Sequence, residues 1–185
     1  MRRRDLEHVV AAAAQIVGEE EFIVVGSQAI LGSHPDAPEA LLRSQEADLY
    51  PRAAPGKAIG IEGALGDGSH FQQTFGYYAH AVGPETAKAP AGWEERLVVV
   101  EVPPRVASKT RARALCLEPH DLILSKLVAH RPRDWAFAEE AVLAGLVDPA
   151  ILLERVSDLP VSAELRAVIA DGLALIAEAA PPSDR

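Results

Sequence analysis

The residues best placed for chemistry are Glu46 and Asp48, two acids separated by one residue in a segment, residues 45–50, that is typical of a β-strand. Side chains alternate along a strand, so both carboxylates would lie on one face, a few ångströms apart. Two carboxylates that close repel each other unless a cation lies between them. Magnesium prefers such oxygen ligands, usually one or two carboxylates with substrate phosphates and water. The pair predicts a magnesium site, with a solvated strand face as the alternative.

A glycine and a serine, Gly26 and Ser27, follow the β-branched run at residues 22–25 and precede the start of a helix at residues 27–31. A glycine at such a turn lets backbone N–H groups approach a phosphate closely, and the serine hydroxyl and the helix N-terminus add further donors. The turn therefore predicts a phosphate-binding site. An ordinary serine N-cap is the alternative.

Together these features resemble the nucleotidyltransferase fold shared with DNA polymerase beta, in particular small bacterial members akin to abortive-infection and toxin nucleotidyltransferases. The likeness covers residues 23–51, IVVGSQAILGSHPDAPEALLRSQEADLYP. It implies that Gly26 and Ser27 bind the phosphates of a nucleoside triphosphate. It also implies that Glu46 and Asp48 hold the catalytic metal ions.

A second segment, residues 116–137, CLEPHDLILSKLVAHRPRDWAF, is similar to a helical signature of the same family. The resemblance implies that Lys126 contacts the triphosphate and that Arg131 and Arg133 add positive charge. Asp134 would orient one of those cations. A surface network of salt bridges is the alternative.

The third carboxylate of the family, the usual base for the attacking hydroxyl, is not evident in the sequence. The candidate is Glu101, which lies among valines in the strand-like run LVVVEV. Two prolines follow it closely, at positions 103 and 104, and they favour the alternative that Glu101 is a surface residue at the end of a strand. Without a third acid, the domain would bind a nucleotide and transfer it poorly or not at all.

The composition limits the class of protein. The chain has 185 residues, of which 49% are hydrophobic, which suits one core and makes one domain the expectation. A formal net charge of -9 argues against a protein that mainly coats nucleic acid. Cys116 is the only cysteine, so an intramolecular disulfide and a multi-cysteine zinc site are excluded, as suits a reducing cytoplasm.

Two basic segments need separate interpretation. The basic start of the chain precedes an apolar run, but its periodicity favours an amphipathic helix over a signal peptide, and no run reaches the roughly 20 apolar residues of a membrane span. Further along, a stripe of cations would guide RNA or another polyanionic acceptor to the site, unless it is a solvated hairpin. The stripe consists of Arg105, Lys109, Arg111 and Arg113.

The remaining pattern predicts an α+β fold, a nucleotidyltransferase-like mixed sheet flanked by helices with a helical C-terminal part. We expect an α/β core over residues 1–117, a helical part over residues 118–180 packed on the same core, and a tail over residues 181–185. Further strands are predicted at residues 75–82, 97–102 and 112–117, and helices at residues 58–65, 119–130, 133–145, 149–156 and 162–179.

The sequence thus predicts a cytoplasmic, Mg²⁺-dependent nucleotidyltransferase that moves a nucleotidyl group from a nucleoside triphosphate to a hydroxyl of RNA, such as tRNA, or of a protein. The resemblance implies a place in a toxin–antitoxin or defence system, with a cognate antitoxin as partner. The first alternative is a catalytically weak or inactive module that senses nucleotides or binds a partner. The second is a nucleic-acid adaptor that uses the basic stripe.

Overall fold

The computed structural model describes residues 1–103 and 111–179, which form two units. Of the described residues, the first unit holds 1–87, 97–103 and 111–118, and the second holds 88–96 and 119–179. The sequence predicts that the α/β core ends at residue 117 and that a helical part follows. In the structure the loop at residues 88–96 belongs to the same unit as these helices. The predicted α+β fold, with a mixed sheet flanked by helices and a helical C-terminal part, is confirmed.

A five-stranded mixed sheet organises the first unit, in the order β3-β2-β1-β5-β4. The pairs β1/β2 and β4/β5 are antiparallel, whereas β1/β5 and β2/β3 are parallel. The sheet therefore places β2 between β1 and β3. The strands are β1 (Glu21–Val25), β2 (Glu46–Pro51), β3 (Tyr78–Ala81), β4 (Val98–Val102) and β5 (Ala112–Cys116).

The first helix, α1 (Arg3–Val17), confirms the amphipathic helix predicted for the start of the chain. Its buried positions recur at helical spacing, and Gly18 ends it with φ 69°. The buried face does not extend into the last turn, where Ile16 is 42% exposed. Within the part of the chain that the structure describes, no helix combines the length and apolar character needed to cross a bilayer.

The chain between β2 and β3 forms two short helices, α2 (Ala58–Leu65) and α3 (His70–Phe75). The strand predicted at residues 75–82 was wrong at its start, because Phe75 ends α3 and the strand begins only at residue 78. Ser69 accepts a hydrogen bond from the Gln72 backbone N–H and so caps α3, and Gly76 ends the helix with φ 78°. These caps, rather than the strand propensity of the aromatic residues, decide the local structure.

The helix predicted at residues 27–31 is a 3-10 helix over Ser27–Gly32, not an α-helix. It packs closely on β5, because a Cβ at Gly32 would lie 2.6 Å from Cys116 Cβ. Gly32 is therefore required by this close approach. A 3-10 helix of six residues offers less of a helix dipole than the sequence suggested.

The second unit is helical. Three of its helices begin at prolines, where a proline costs no hydrogen bond, at Pro119, Pro132 and Pro149. The Asp148 side chain caps the helix that begins at Pro149 by accepting from the Ala150 N–H at 2.8 Å. The helices are α4 (Pro119–Val128), α5 (Pro132–Leu143), α6 (Pro149–Arg155) and α7 (Ala163–Ala179).

Candidate active site

The bend after β1 lies directly beside an acid of β2. The antiparallel register pairs Val25 with Asp48, so the next residue, Gly26, lies next to the Asp48 side chain. Gly26 has φ 63° and ψ -170°, a region open essentially to glycine alone. A Cβ at this position would overlap Asp48 Oδ2 and lie 2.9 Å from Asp48 Cγ. The glycine is therefore required both by the backbone conformation and by the carboxylate that lies against it.

The two acids share one face of β2, as the alternation predicted. Ala47 and Leu49 are fully buried on the opposite face, whereas Glu46 and Asp48 keep partial exposure. The Asp48 side chain is 19% exposed. Two half-buried carboxylates on one face of one strand form the centre of the candidate site.

Strand β3 supplies a hydrogen-bonding partner to each acid. The parallel register places Tyr78 beside Glu46 and His80 beside Asp48. The Tyr78 hydroxyl donates to Glu46 Oε2 at 3.0 Å, and His80 Nδ1 lies 2.7 Å from Asp48 Oδ1. The two strands thus present matched pairs, one acid and one donor at each of two successive positions on the same face.

The carboxylates make the neighbouring groups bind their protons more tightly. Burial, the hydrogen bond to Glu46 and the nearby negative charges raise the pKa of Tyr78 to about 12, so it remains a donor at neutral pH. Burial alone would lower the pKa of His80. The hydrogen bond to Asp48 and the charges of the surrounding carboxylates, Glu62 among them, outweigh burial and raise that pKa. Both shifts report a strongly negative site.

A short series of hydrogen bonds links the bend to the start of β2. Gln28 is fully buried, and its Nε2 donates to the Ser44 carbonyl at 3.3 Å. Ser44 Oγ in turn accepts from the Glu46 backbone N–H at 3.2 Å. Gln28 Oε1 is buried with no hydrogen-bond partner among the described residues, a costly arrangement. Gln28 therefore fixes the spacing between the glycine bend and the first acid.

The donor set fits magnesium with help from a substrate. Within residues 1–103 and 111–179, no group of three or more His, Cys, Asp or Glu side chains could hold a metal ion. Magnesium usually takes one or two protein carboxylates and completes its shell with substrate phosphates and water. Glu46 and Asp48 satisfy that requirement, and the Asp48 carboxylate lies against the backbone of the Gly26 bend, where a side chain of residue 26 would otherwise be.

The structure does not bring Glu101 together with this pair. Glu101 is exposed on the edge strand β4, where its cross-strand partner is Arg113 of β5. Two strands, β5 and β1, lie between β4 and β2, which puts Glu101 about 14 Å away across the sheet at the usual strand spacing. The geometry gives no support to Glu101 as the base at the Glu46 and Asp48 site.

The predicted cations of the helical signature lie in the second unit, where two of them hold Asp134. Asp134 is fully buried, with Lys126 Nζ 3.1 Å from Oδ1 and Arg131 Nε 2.6 Å from Oδ2. Lys126 also lies over the Phe137 ring, 4.6 Å from its centroid, and its side chain is only 12% exposed. The prediction that Asp134 orients a cation is consistent with this geometry. Contact of Lys126 with a triphosphate stays a prediction.

The structure describes only two of the four residues of the basic stripe, Arg111 and Arg113. Arg105 and Lys109 lie outside the described residues. Arg111 and Arg133 are exposed, whereas Arg113 lies in β5 and pairs with Glu21 of β1 at 2.8 Å. Arg113 therefore helps to join two strands of the sheet.

Sequence reasoning missed the partners on β3. The histidines show no ligand spacing in the sequence, so nothing there singles out His80, and Tyr78 lies in an aromatic cluster of the sequence with Phe71, Phe75 and Tyr77. In the structure Tyr77 belongs to that cluster, with His8, while Tyr78 is directed to Glu46. Tyr78 and His80 lie two residues apart, as do Glu46 and Asp48. This shared spacing indicates contact only once the parallel pairing of β2 with β3 is known.

Comparison with known proteins identifies the family of the chain. Residues 4–169 match the DUF6036 family, which is described as a nucleotidyltransferase of unknown function. No curated protein and no solved structure matches the chain. The family match takes in both the Gly26 bend with its two acids and the Lys126 to Asp134 segment. The chain therefore belongs to the DUF6036 family of nucleotidyltransferases.

Proposed function

We propose that the chain is a metal-dependent enzyme that transfers a nucleotidyl group from a nucleoside triphosphate to a hydroxyl acceptor. The observation that carries the proposal is the contact between the Gly26 bend and Asp48, with Glu46 two residues away on the same strand face. Because residue 26 has no side chain, the backbone of the bend lies directly against the acidic pair, so that a phosphate bound by the bend would be next to a metal ion held by the acids. Membership of a nucleotidyltransferase family supports the same reading.

In this proposal each residue has a distinct task. The backbone at Gly26 and the Ser27 hydroxyl bind the phosphates, and Glu46 and Asp48 hold Mg²⁺. A bound Mg²⁺ would supply charge neutralisation and alignment for the phosphate oxygens. The acceptor hydroxyl oxygen forms a bond to the α-phosphorus and its proton passes to solvent water. The bond from that phosphorus to the bridging oxygen breaks, and pyrophosphate leaves with its electron pair.

The helical unit offers a second source of positive charge. Lys126 and Arg131 share the single carboxylate of Asp134, so this trio carries one net positive charge. We assign Lys126, Arg131 and Arg133 to the binding of triphosphate, with Asp134 as the residue that orients the first two. Arginine and lysine are the usual partners of phosphate groups.

The acceptor and the biological setting belong to the same proposal. An RNA, such as tRNA, or a protein supplies the hydroxyl, and the enzyme acts in a toxin–antitoxin or defence pair with a cognate antitoxin. Incubation with each labelled triphosphate, Mg²⁺, and separate pools of RNA and of protein identifies the acceptor. Labelled RNA and labelled protein are distinguished by their sensitivity to nuclease and protease.

The activity test uses a matched pair of acid variants. Asp48→Asn should reduce labelling at least about 1000-fold, because the lost ligand acts on the transition-state charge. Glu101→Gln, an acid of the same sheet that lies far from β2, should retain the wild-type rate. Equal labelling by wild type and Asp48→Asn would contradict the proposal. A loss of labelling in Glu101→Gln would restore Glu101 as a catalytic acid.

A second candidate function is a nucleotide-binding module that does not transfer. It is favoured by one observation. Within the described residues no third acid joins Glu46 and Asp48 in a group that could hold a metal ion, and the residue that β3 places beside Asp48 is a histidine, His80. Calorimetry with triphosphates and Mg²⁺ separates the two functions. Binding that depends on Asp48, without any labelled product in either acceptor pool, favours the module over the enzyme.

A further inference from the structure

The acids of β2 are held from the neighbouring strand by a pair of donors at the same spacing. Tyr78 Oη donates to Glu46 Oε2 at 3.0 Å, and His80 Nδ1 lies 2.7 Å from Asp48 Oδ1. The parallel register explains both contacts at once, since it pairs residue 46 with residue 78 and residue 48 with residue 80. Neither donor belongs to the nucleotide-binding set described above.

The hydrogen bond from His80 holds one carboxylate oxygen of Asp48, so that the other oxygen lies at the bend. His80 engages Oδ1, while Oδ2 is the atom nearest to the missing side chain of Gly26. A carboxylate only accepts hydrogen bonds, so His80 Nδ1 carries the proton of this contact. The imidazole therefore fixes the rotation of the carboxylate about its terminal bond, a rotation that is otherwise broad.

We propose that Tyr78 and His80 are positioning residues, which hold Glu46 and Asp48 in the orientation that binds the metal ion and so set the metal affinity of the site. This inference rests on the proposed function, in which those two carboxylates are the metal ligands. Partners that orient a metal-binding side chain typically change metal affinity by about 10- to 100-fold when they are removed. His80 and Tyr78 act through the acids and are not themselves ligands.

A merely structural role predicts a different result. Strand β3 lies at the edge of the sheet, so side-chain bonds between β2 and β3 also help to attach it. Loss of an attachment would lower the stability of the metal-free protein and leave the metal affinity of the folded protein unchanged. Metal affinity measured on the folded chain therefore separates positioning from attachment.

The test measures Mn²⁺ binding to the full chain by electron paramagnetic resonance, with Mn²⁺ as the probe for Mg²⁺. His80→Leu, which removes the donor, should weaken binding about 10- to 100-fold. His80→Asn keeps an N–H donor the same number of bonds from Cα as Nδ1, and it should stay within about threefold of wild type because the donor is preserved. His70→Leu is the matched control, since His70 contacts Thr74 within α3, and it should bind like wild type.

Tyr78→Phe provides a second variant that removes a single oxygen atom and is expected to fold even if His80→Leu does not. It should weaken Mn²⁺ binding to the folded protein by a similar factor, and the unfolding transition of the metal-free protein measures any loss of attachment separately. Wild-type affinity in both Tyr78→Phe and His80→Leu would overturn the inference. So would equal weakening in His80→Leu and His80→Asn, because the hydrogen bond would then be irrelevant.

Failure of the proposed function gives a different pattern. If wild type and Asp48→Asn bind Mn²⁺ equally, the metal site itself is wrong, and the positioning role falls with it. If Asp48→Asn loses binding while the variants of residues 78 and 80 keep it, only the positioning role is wrong. The two failures are therefore distinguishable in one set of titrations, without any measurement of activity.

Discussion

The carboxylates of the sheet unit and those of the helical unit lie in two different environments. In the sheet unit, Glu46 and Asp48 meet a phenol and an imidazole, and they keep partial exposure. In the helical unit, Asp121 and Asp134 are fully buried, and each lies between two long cationic side chains. The first arrangement retains negative charge at a surface that a ligand can reach, whereas the second removes it from the solvent and neutralises it.

For Asp121, this difference separates an architectural role from the candidate chemistry of the acids on β2. A buried carboxylate without compensation is too costly to keep, so the cations around Asp121 are a condition of its burial. Arg96 and Arg155 contact it at 2.7 and 3.0 Å, and Arg96 also donates to the carbonyl of Ala91. Asp121 thereby ties the loop at residues 88–96 to the helices of its unit. The acids of β2 carry out no comparable connection.

The largest effect should follow from Asp121→Ala, which leaves two arginines without their buried partner. Removal of one member of a buried ion pair typically costs about 3–5 kcal/mol of unfolding free energy. Urea denaturation measures the loss. Asp171→Ala, at an exposed aspartate of α7, is the matched control and should change stability by no more than about 0.5 kcal/mol. A stability for Asp121→Ala equal to that of the control would remove the contrast between the two regions.

The next effect should come from Gly26→Ala, in the unit that keeps its acids accessible. A non-glycine residue with φ 63° and ψ -170° costs about 1–3 kcal/mol, and the new Cβ would also displace the Asp48 carboxylate. Both stability and metal-dependent nucleotide binding should therefore fall. Gly63→Ala is the matched control, because that glycine lies in α2 with open space around its Cα, and it should gain about 0.5–1 kcal/mol. Unchanged nucleotide binding by Gly26→Ala would argue against a phosphate site at the bend.

A smaller effect is expected in acid. Burial alone would raise the pKa of Asp134, but its hydrogen bond to Arg131 and the charges of Lys126 and Arg131 outweigh burial and hold that pKa below its ordinary value of 3.8. A lowered folded-state pKa means that the ionised carboxylate stabilises the fold above pH 3.8 and that this contribution is lost as the pH falls through the lowered value. Asp134→Asn should therefore lose less stability than wild type between about pH 4 and pH 2. Denaturant titrations across that range test the difference, and parallel curves for the two proteins would contradict it.

The fold was largely predictable because its signals are local. Pro132 and Pro149 start helices as their fixed φ requires, and the alternation around Glu46 and Asp48 correctly assigned the faces of β2. The error at Phe75 arose where capping by Ser69 outweighed an aromatic run that favours a strand. Helix caps of this kind act over three or four residues and compete directly with propensity.

The site was predictable only along one strand. Glu46 and Asp48 could be singled out because side chains alternate along one strand, and Gly26 could be singled out because it follows a β-branched run. The partners Tyr78 and His80 could not, since the parallel pairing of β2 with β3 joins residues that lie 32 positions apart. No local pattern specifies such a register. For the same reason Glu101 was chosen as a third acid from its valine surroundings, although the strand order puts two strands between it and Asp48.

The smallest effect is expected for Glu21, which tests whether burial of a carboxylate or the number of cations around it determines its contribution to stability. Glu21 also lies between two arginines, with Arg113 at 2.8 Å and Arg52 at 3.4 Å, but all three side chains are at least 29% exposed. Solvent screens such pairs, which typically contribute no more than about 1 kcal/mol. Glu21→Gln should therefore cost less than about 1 kcal/mol in urea denaturation, and added salt should reduce the cost further. A cost as large as that of Asp121→Ala would mean that the two cations, and not burial of the acid, decide how strongly a carboxylate supports the fold.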